Sequence, residues 1–161
     1  MTETTLVAIA PARIPEDIPA IRSLFRDYAG LVSEALCFQG FDAELAGLPG
    51  AYAPPSGALL IARDATGDAA GCVALRRLDA QTCEMKRMFV RDAHRGTGLG
   101  RRLALAIIDE ARRRNARRVV LDTLPQLEMA IALYRSLGFR ETGPYLPAPT
   151  PGALCFELSL S

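Results

Sequence analysis

The chain has 161 residues, half of them apolar and 23% charged, a composition that fits one globular domain spanning 1–161 and argues against a disordered tail. A net charge of +1 leaves no chain-wide basic excess, and with no aromatic interleaving this argues against a nucleic-acid partner. No segment approaches the ~20 apolar residues of a membrane span, residues 1–17 lack the features of a secretory signal, and the four cysteines stand far apart and away from the lone His94. The expectation is a cytoplasmic protein with reduced thiols, no membrane partner and no metal site.

In chain order, residues 5–10 (TLVAIA) read as a strand bounded by Pro11. Pro15, Glu16 and Asp17 open a helix over 18–28, with Ile18, Ile21, Leu24 and Phe25 at helical spacing, acids in the first turn, and Gly30 as its stop. Residues 32–48 form a weaker helical stretch interrupted at Gly40, read as two short helices or one with a break. The loop 49–57 carries three prolines and suits the rim of a binding surface.

Residues 58–63 and 69–78 predict an antiparallel hairpin, and a turn at 79–82 leads to a third strand at 83–90. Leu99, Leu103, Ile107 and Ala111 then repeat every four residues along an amphipathic helix from about Gly98 to Asn115. A strand at 117–123 and a helix at 126–137, ended by Gly138, follow. The order strand, helix, strand requires a crossover and a locally parallel pair. Residues 139–142 and 153–160 predict two last strands joined by a proline-rich loop.

Charge is unevenly distributed. Residues 86–118 hold eleven bases against three acids, whereas residues 1–60 hold three bases against seven acids. Arginines favoured near a helix C-terminus account for such a stretch, and so does one basic site for a phosphorylated ligand.

Arg95-Gly96-Thr97-Gly98-Leu99-Gly100 follows a predicted strand and opens a predicted helix, which gathers free backbone N–H groups and the positive end of a helix dipole at one point. A dinucleotide fingerprint needs glycine at its first, third and sixth positions, and counting from Gly96 the sixth is Arg101. A nucleotide-triphosphate loop fails because no Lys-Ser or Lys-Thr pair follows the glycines.

Arg95, Gly98 and Gly100, in the pattern Arg-x-x-Gly-x-Gly, resemble the pyrophosphate-binding signature of the GNAT superfamily of acetyl-CoA-dependent N-acetyltransferases. Ala130, Leu133, Tyr134, Gly138 and Phe139 resemble its second signature. The sequence departs from the family at Ala93, where proline is frequent, and at Leu127, where asparagine is common.

The resemblance implies an α/β (α+β) fold, with a mixed, mostly antiparallel central sheet of six to seven strands flanked by four helices. It implies acetyl-CoA as cosubstrate, with Arg95, Gly96, Thr97, Gly98, Leu99, Gly100 and Arg101 at the pyrophosphate and the backbone of Met88, Phe89 and Val90 along the pantetheine arm. A main-chain N–H there would also meet the oxyanion formed when an amine attacks the thioester.

Glu84 is then the candidate general base, acting through water, against an ion pair with Lys86, or with Arg87 if the strand bulges. Tyr134 matches the family's general acid, against a helix tyrosine packed on the sheet. His94 reads as loop surface or a minor phosphate contact, and Cys83 and Met85 as core. The acceptor site falls to the first helices, the loop 49–57 and the loop 145–152. Asp42 and Glu44 near that rim favour a cationic small amine.

The leading expectation is transfer of an acetyl group to a small-molecule amine, with a homodimer compatible with the fold. A silent acyl-CoA sensor and a peptide or protein acetyltransferase are the alternatives on the same fold, and a nicotinamide or flavin oxidoreductase ending at Asp122 lies outside it.

Overall fold

The computed structural model describes residues 6–32 and 40–160. Among them, one seven-stranded sheet runs in the order β1-β2-β3-β4-β5-β7-β6. Its strands are β1 (Ala8–Pro11), β2 (Ala58–Arg63), β3 (Ala69–Arg77), β4 (Thr82–Val90), β5 (Arg118–Thr123), β6 (Arg140–Thr142) and β7 (Leu154–Ser159). Every neighbouring pair is antiparallel except β4–β5, the parallel pair that the crossover required. The mixed, mostly antiparallel sheet and its four helices are those the resemblance implies.

The α-helices among the described residues are α1 (Ile18–Val32), α2 (Phe41–Ala46), α3 (Leu99–Arg113) and α4 (Glu128–Ser136). Leu99, Leu103, Ala104, Ile107, Ile108 and Ala111 form the buried stripe of α3, which packs with α4 against one face of the sheet. Ile18, Ile21, Leu24 and Phe25 of α1 and Phe41 of α2 pack against the other. Each fully buried Leu, Ile or Phe contributes about 1.5–3 kcal/mol of transfer free energy, so the two layers hold the central strands between them.

Three expectations change. α1 continues through Gly30 to Val32; a lone glycine inside a helix costs only about 1 kcal/mol, which the buried apolar stripe of α1 exceeds. Asp17 and Glu16 stand before α1 and not in its first turn. Tyr52, in the loop read as a rim, is only 3% exposed and packs edge-on against Phe25. Of the stretch 32–48, the second half is α2, which starts after Gly40 in a left-handed conformation (φ 67°); residues 33–39, with Cys37, lie outside the described residues.

Several arginines of the basic stretch fasten the fold. Arg102 donates to the Val7 carbonyl, Arg114 to Glu110 and the Gly57 carbonyl, and Arg118 to Glu157 and Thr82. Only Arg95 and Arg101 flank the glycine loop.

Buried Asp17 ties the entry of α1 to the sheet, accepting hydrogen bonds from the Arg13 backbone and guanidinium and from Arg63 (2.7 Å). These bonds, Arg13 foremost, hold its carboxyl well below the usual range. Asp17→Asn should therefore cost about 1–3 kcal/mol at neutral pH. Because the folded pKa is depressed, that contribution is complete above about pH 4 and fades as the pH falls further. Urea melts of both proteins at pH 7 and pH 3 check this: the gap between them narrows in acid.

Candidate active site

β4 and β5 begin side by side, Thr82 beside Arg118, Cys83 beside Val119 and Glu84 beside Val120, and then part. β4 stays with β3 as far as Val90, while β5 stays with β7 as far as Thr123. The parting has a local cause. Between the pairs Ala74–Lys86 and Cys72–Phe89, β3 advances two residues and β4 three, so β4 carries a bulge that bends it away from β5.

Arg87 sits in the bulge at φ 58°, a conformation that costs a non-glycine residue about 1–2 kcal/mol. Glu44 of α2 holds it there through two hydrogen bonds of 2.8 Å, and the rings of Tyr28 and Phe41 lie 6.0 and 5.3 Å from its guanidinium carbon. Gly71 of β3 passes close by: a Cβ there would stand 2.6 Å from the Phe89 carbonyl oxygen.

The gap between the parted strands is a cleft of about 430 Å³ including its open mouth. Residues 85–88 of β4 form one wall and residues 121–123 of β5 the other, with Tyr28, Leu127, Ala130 and Tyr134 completing it. Tyr134 packs its ring on Phe139 (5.8 Å between centroids), and its hydroxyl makes no hydrogen bond among the described residues. Burial pushes its pKa up, aided by Tyr28 and Asp122, so the phenol keeps its proton.

Asp122 is the carboxylate on the opposite wall. Burial raises its pKa above the ordinary carboxylate value, with Lys86 opposing the shift. Lys86 is shifted the other way, down, by its own burial.

Glu84 lies at the vertex where the strands part, fully buried. Its pairing differs from both sequence-based alternatives. Arg76, directly across on β3, donates through Nε at 2.5 Å, and the Tyr145 hydroxyl donates to the second carboxylate oxygen. The strand does bulge at Arg87, but that arginine turns to Glu44.

At the far end of β4 the chain makes a short 3-10 turn at Asp92–His94 and enters the glycine loop. Gly96 and Gly98 hold φ values of 78° and 84°, which L side chains rarely adopt. Gly98 is the N-cap of α3, and the first backbone bond of that helix runs from Arg102 N–H to the Gly98 carbonyl. The N–H groups of Gly96, Thr97, Gly98, Leu99, Gly100 and Arg101 have no partner among the described residues. Six consecutive donors at a helix N-terminus form a cradle for a polyanion.

Arg95 is half-exposed, bridges to Asp92 at 2.8 Å, and donates through Nε to the Val90 carbonyl, which ties the loop to the end of β4. Arg101 reaches Ser136 of α4 (3.2 Å), and the Leu99 side chain is core. Gly100 fits between Val90 and Leu133, so the loop, β4 and α4 meet at one place.

Met88, Phe89 and Val90 link cleft to loop. The Phe89 ring is buried against α1, whereas Met88 and Val90 lean on the α3 side. His94 faces Asp64 of the β2–β3 turn at 3.7 Å. Cys83 and Met85 are core.

Arg76 carries no local signal in the sequence, Tyr145 stands there only as the start of the acceptor-side loop 145–152, and Asp122 only as the acid that would end an oxidoreductase unit. The available signal was a lone acid ending the otherwise apolar run Val119–Leu121 on a central strand.

Comparison with known proteins agrees with this architecture. The acetyltransferase (GNAT) family matches residues 18–139. An uncharacterized N-acetyltransferase of Schizosaccharomyces pombe is 37% identical over 162 residues, covering 100% of this chain and 99% of that protein. A crystal structure of a GNAT acetyltransferase from Staphylococcus aureus superposes with a TM-score of 0.81 at 20% identity, covering 97% of this chain and all of that one. The YncA protein of Salmonella typhimurium, solved with its cofactor acetyl-CoA, gives a TM-score of 0.68 at 24% identity over 96% of this chain and 94% of its own. Family match, relative and fold converge: the chain belongs to the acetyltransferase (GNAT) family and is an acyltransferase.

Proposed function

We propose that this enzyme transfers the acetyl group of acetyl-CoA to the primary amine of a small molecule by direct attack. The observation that carries the reading is the continuity along β4: a cleft where it leaves β5, a strand edge free of β5 from Met85 to Val90, and at its end six unpaired N–H groups. The residues fit the cosubstrate in that order. The loop Gly96–Arg101 and Arg95 take the pyrophosphate, and the backbone of Met88, Phe89 and Val90 pairs with the amide-bearing arm as an added strand would. Acetyl-CoA, when bound, supplies the activated acyl carbon.

The protein's own groups handle the protons. A free alkylamine is mostly protonated at neutral pH, so a base must relieve it. Asp122 takes that role, because burial raises its pKa and so makes it a stronger base than an ordinary carboxylate, and it stands on the cleft wall. Glu84 has both oxygens engaged, by Arg76 and Tyr145, and fixes the vertex. A second reading keeps Glu84 as the proton acceptor through a water, since it lies at that vertex on the same sheet face as Lys86. Pre-steady-state rates of Glu84→Gln and Asp122→Asn separate the two. Tyr134 donates its retained proton to the departing thiolate.

A thiolate is already a fair leaving group, so Tyr134→Phe should lower kcat about tenfold and leave KM for acetyl-CoA near the wild-type value. The reading as a whole is tested by coenzyme A thiol release across a panel of amines, amino acids and peptides. Turnover of small amines supports it; acetyl-CoA binding with no turnover on any acceptor would make the protein a sensor.

A further inference from the structure

On the sheet face that carries α1 and α2, the charged groups around the vertex come in pairs. Arg87 is closed onto Glu44 through Nε and Nη2, and this takes away one of the two rim acids that the sequence offers to a cationic acceptor, leaving exposed Asp42. Lys86 and Asp122 both line the cleft, and the Lys86 ammonium senses the Glu84 carboxylate as well as that of Asp122.

Arg76 differs. Its Nε is fixed to the fully buried Glu84, which the Tyr145 hydroxyl fixes from the other side. Its side chain is 31% exposed, and its two terminal nitrogens have no partner among the described residues. A guanidinium held rigidly by one edge presents the other as a planar fork, the geometry that receives a carboxylate through two parallel bonds.

The position of the fork is what gives it meaning. Arg76 stands across β3–β4 from Glu84, the last β4 residue paired with β5 before the cleft opens. Tyr145, from the loop between β6 and β7, donates to the same Glu84 carboxylate, so that loop meets the guanidinium at the vertex. A carboxylate on this fork sits at the vertex, where the cleft that Asp122 lines begins, so an amine one or two bonds away is within the same end of the site. A polyamine would bring its second cation against Arg76.

We infer that the acceptor is an amino acid, its carboxylate held by the terminal nitrogens of Arg76 and its amine directed into the β4–β5 cleft. This rests on the acetyl-transfer reading for the identity of the site, and Arg76 is a binding residue whose orientation Glu84 and Tyr145 set.

The test is calorimetric titration of the coenzyme A-saturated protein with the twenty L-amino acids and with their C-terminal amides, thiol release being followed on the same samples with acetyl-CoA. At least one free acid should bind, and its amide about tenfold or more weakly. Arg76→Gln should reduce that preference to about twofold or less and leave coenzyme A affinity unchanged. Since Arg76→Gln strands Glu84, the variant Arg76→Gln/Glu84→Gln removes both charges together and should lose the preference in the same way.

Equal binding of acids and amides, binding of polyamines alone, binding of none of these, or a preference that survives both variants would overturn the inference. Free acids that bind with the preference but release no thiol would overturn the transferase reading and leave the carboxylate anchor standing. Turnover of acids and amides alike would do the reverse.

Discussion

Asp122→Asn should lower kcat about a hundredfold or more, with acetyl-CoA affinity unchanged. The amide keeps the shape of the side chain on the cleft wall and removes its capacity to accept a proton, while the loop and strand edge that would bind the cosubstrate lie elsewhere on β4. The pH profile gives the sign. A base must be ionised, so wild-type kcat/KM rises with pH through the Asp122 pKa, which burial places above the usual carboxylate value of about 3.9. In the variant that ascent disappears, and only the one belonging to the acceptor amine remains.

Stability moves the opposite way. An acid whose folded pKa is raised carries no cost below its unfolded pKa and its full cost above the folded one, so at neutral pH the ionised Asp122 destabilises the fold. The Asn variant should melt higher than wild type. A loss of rate joined to a gain in Tm is the pattern of a group retained for function. If Asp122→Asn keeps its rate while Glu84→Gln loses it, the water-relayed reading of Glu84 is the correct one.

Arg95→Ala should raise KM for acetyl-CoA about tenfold or more with little change in kcat, because a charge-assisted phosphate contact contributes about 1.5–3 kcal/mol to bound substrate and transition state alike. The fold tolerates the change: Arg95 is half-exposed, and its contacts are to exposed Asp92 and the Val90 carbonyl. Steady-state kinetics at two ionic strengths check this, since the wild-type advantage should shrink as salt rises. An unaltered KM would remove Arg95 from the phosphate site.

Much of this was legible from local pattern. The fourfold repeat Leu99-Leu103-Ile107-Ala111, the apolar runs of β2 to β5 and the glycine spacing all report on neighbours in sequence, and the elements they announce lie within a residue or two of their expected ends. What the sequence did not disclose is pairing across the sheet. Glu84 lies two residues from Lys86 and three from Arg87, yet its partner is Arg76, eight residues back, because only the β3–β4 register sets those side chains opposite one another. The bulge that frees β4 from β5 is likewise a register event, stabilised by Glu44, 43 residues from Arg87. Tyr145 reaches Glu84 across 61 residues from within a proline-rich loop that has no periodicity to read. Gly30 misled because a weak local breaker was set against a buried helix face whose strength is tertiary.

If the parted edge of β4 and the glycine loop form one acetyl-CoA site, both stretches must respond to the cosubstrate together. Hydrogen exchange of the backbone amides, with and without saturating acetyl-CoA, measures this without requiring an acceptor. The amides of residues 85–90 and 96–101 should gain protection together while those of β1 and β2 stay unchanged. Protection confined to other segments, or no change at either stretch, would contradict it.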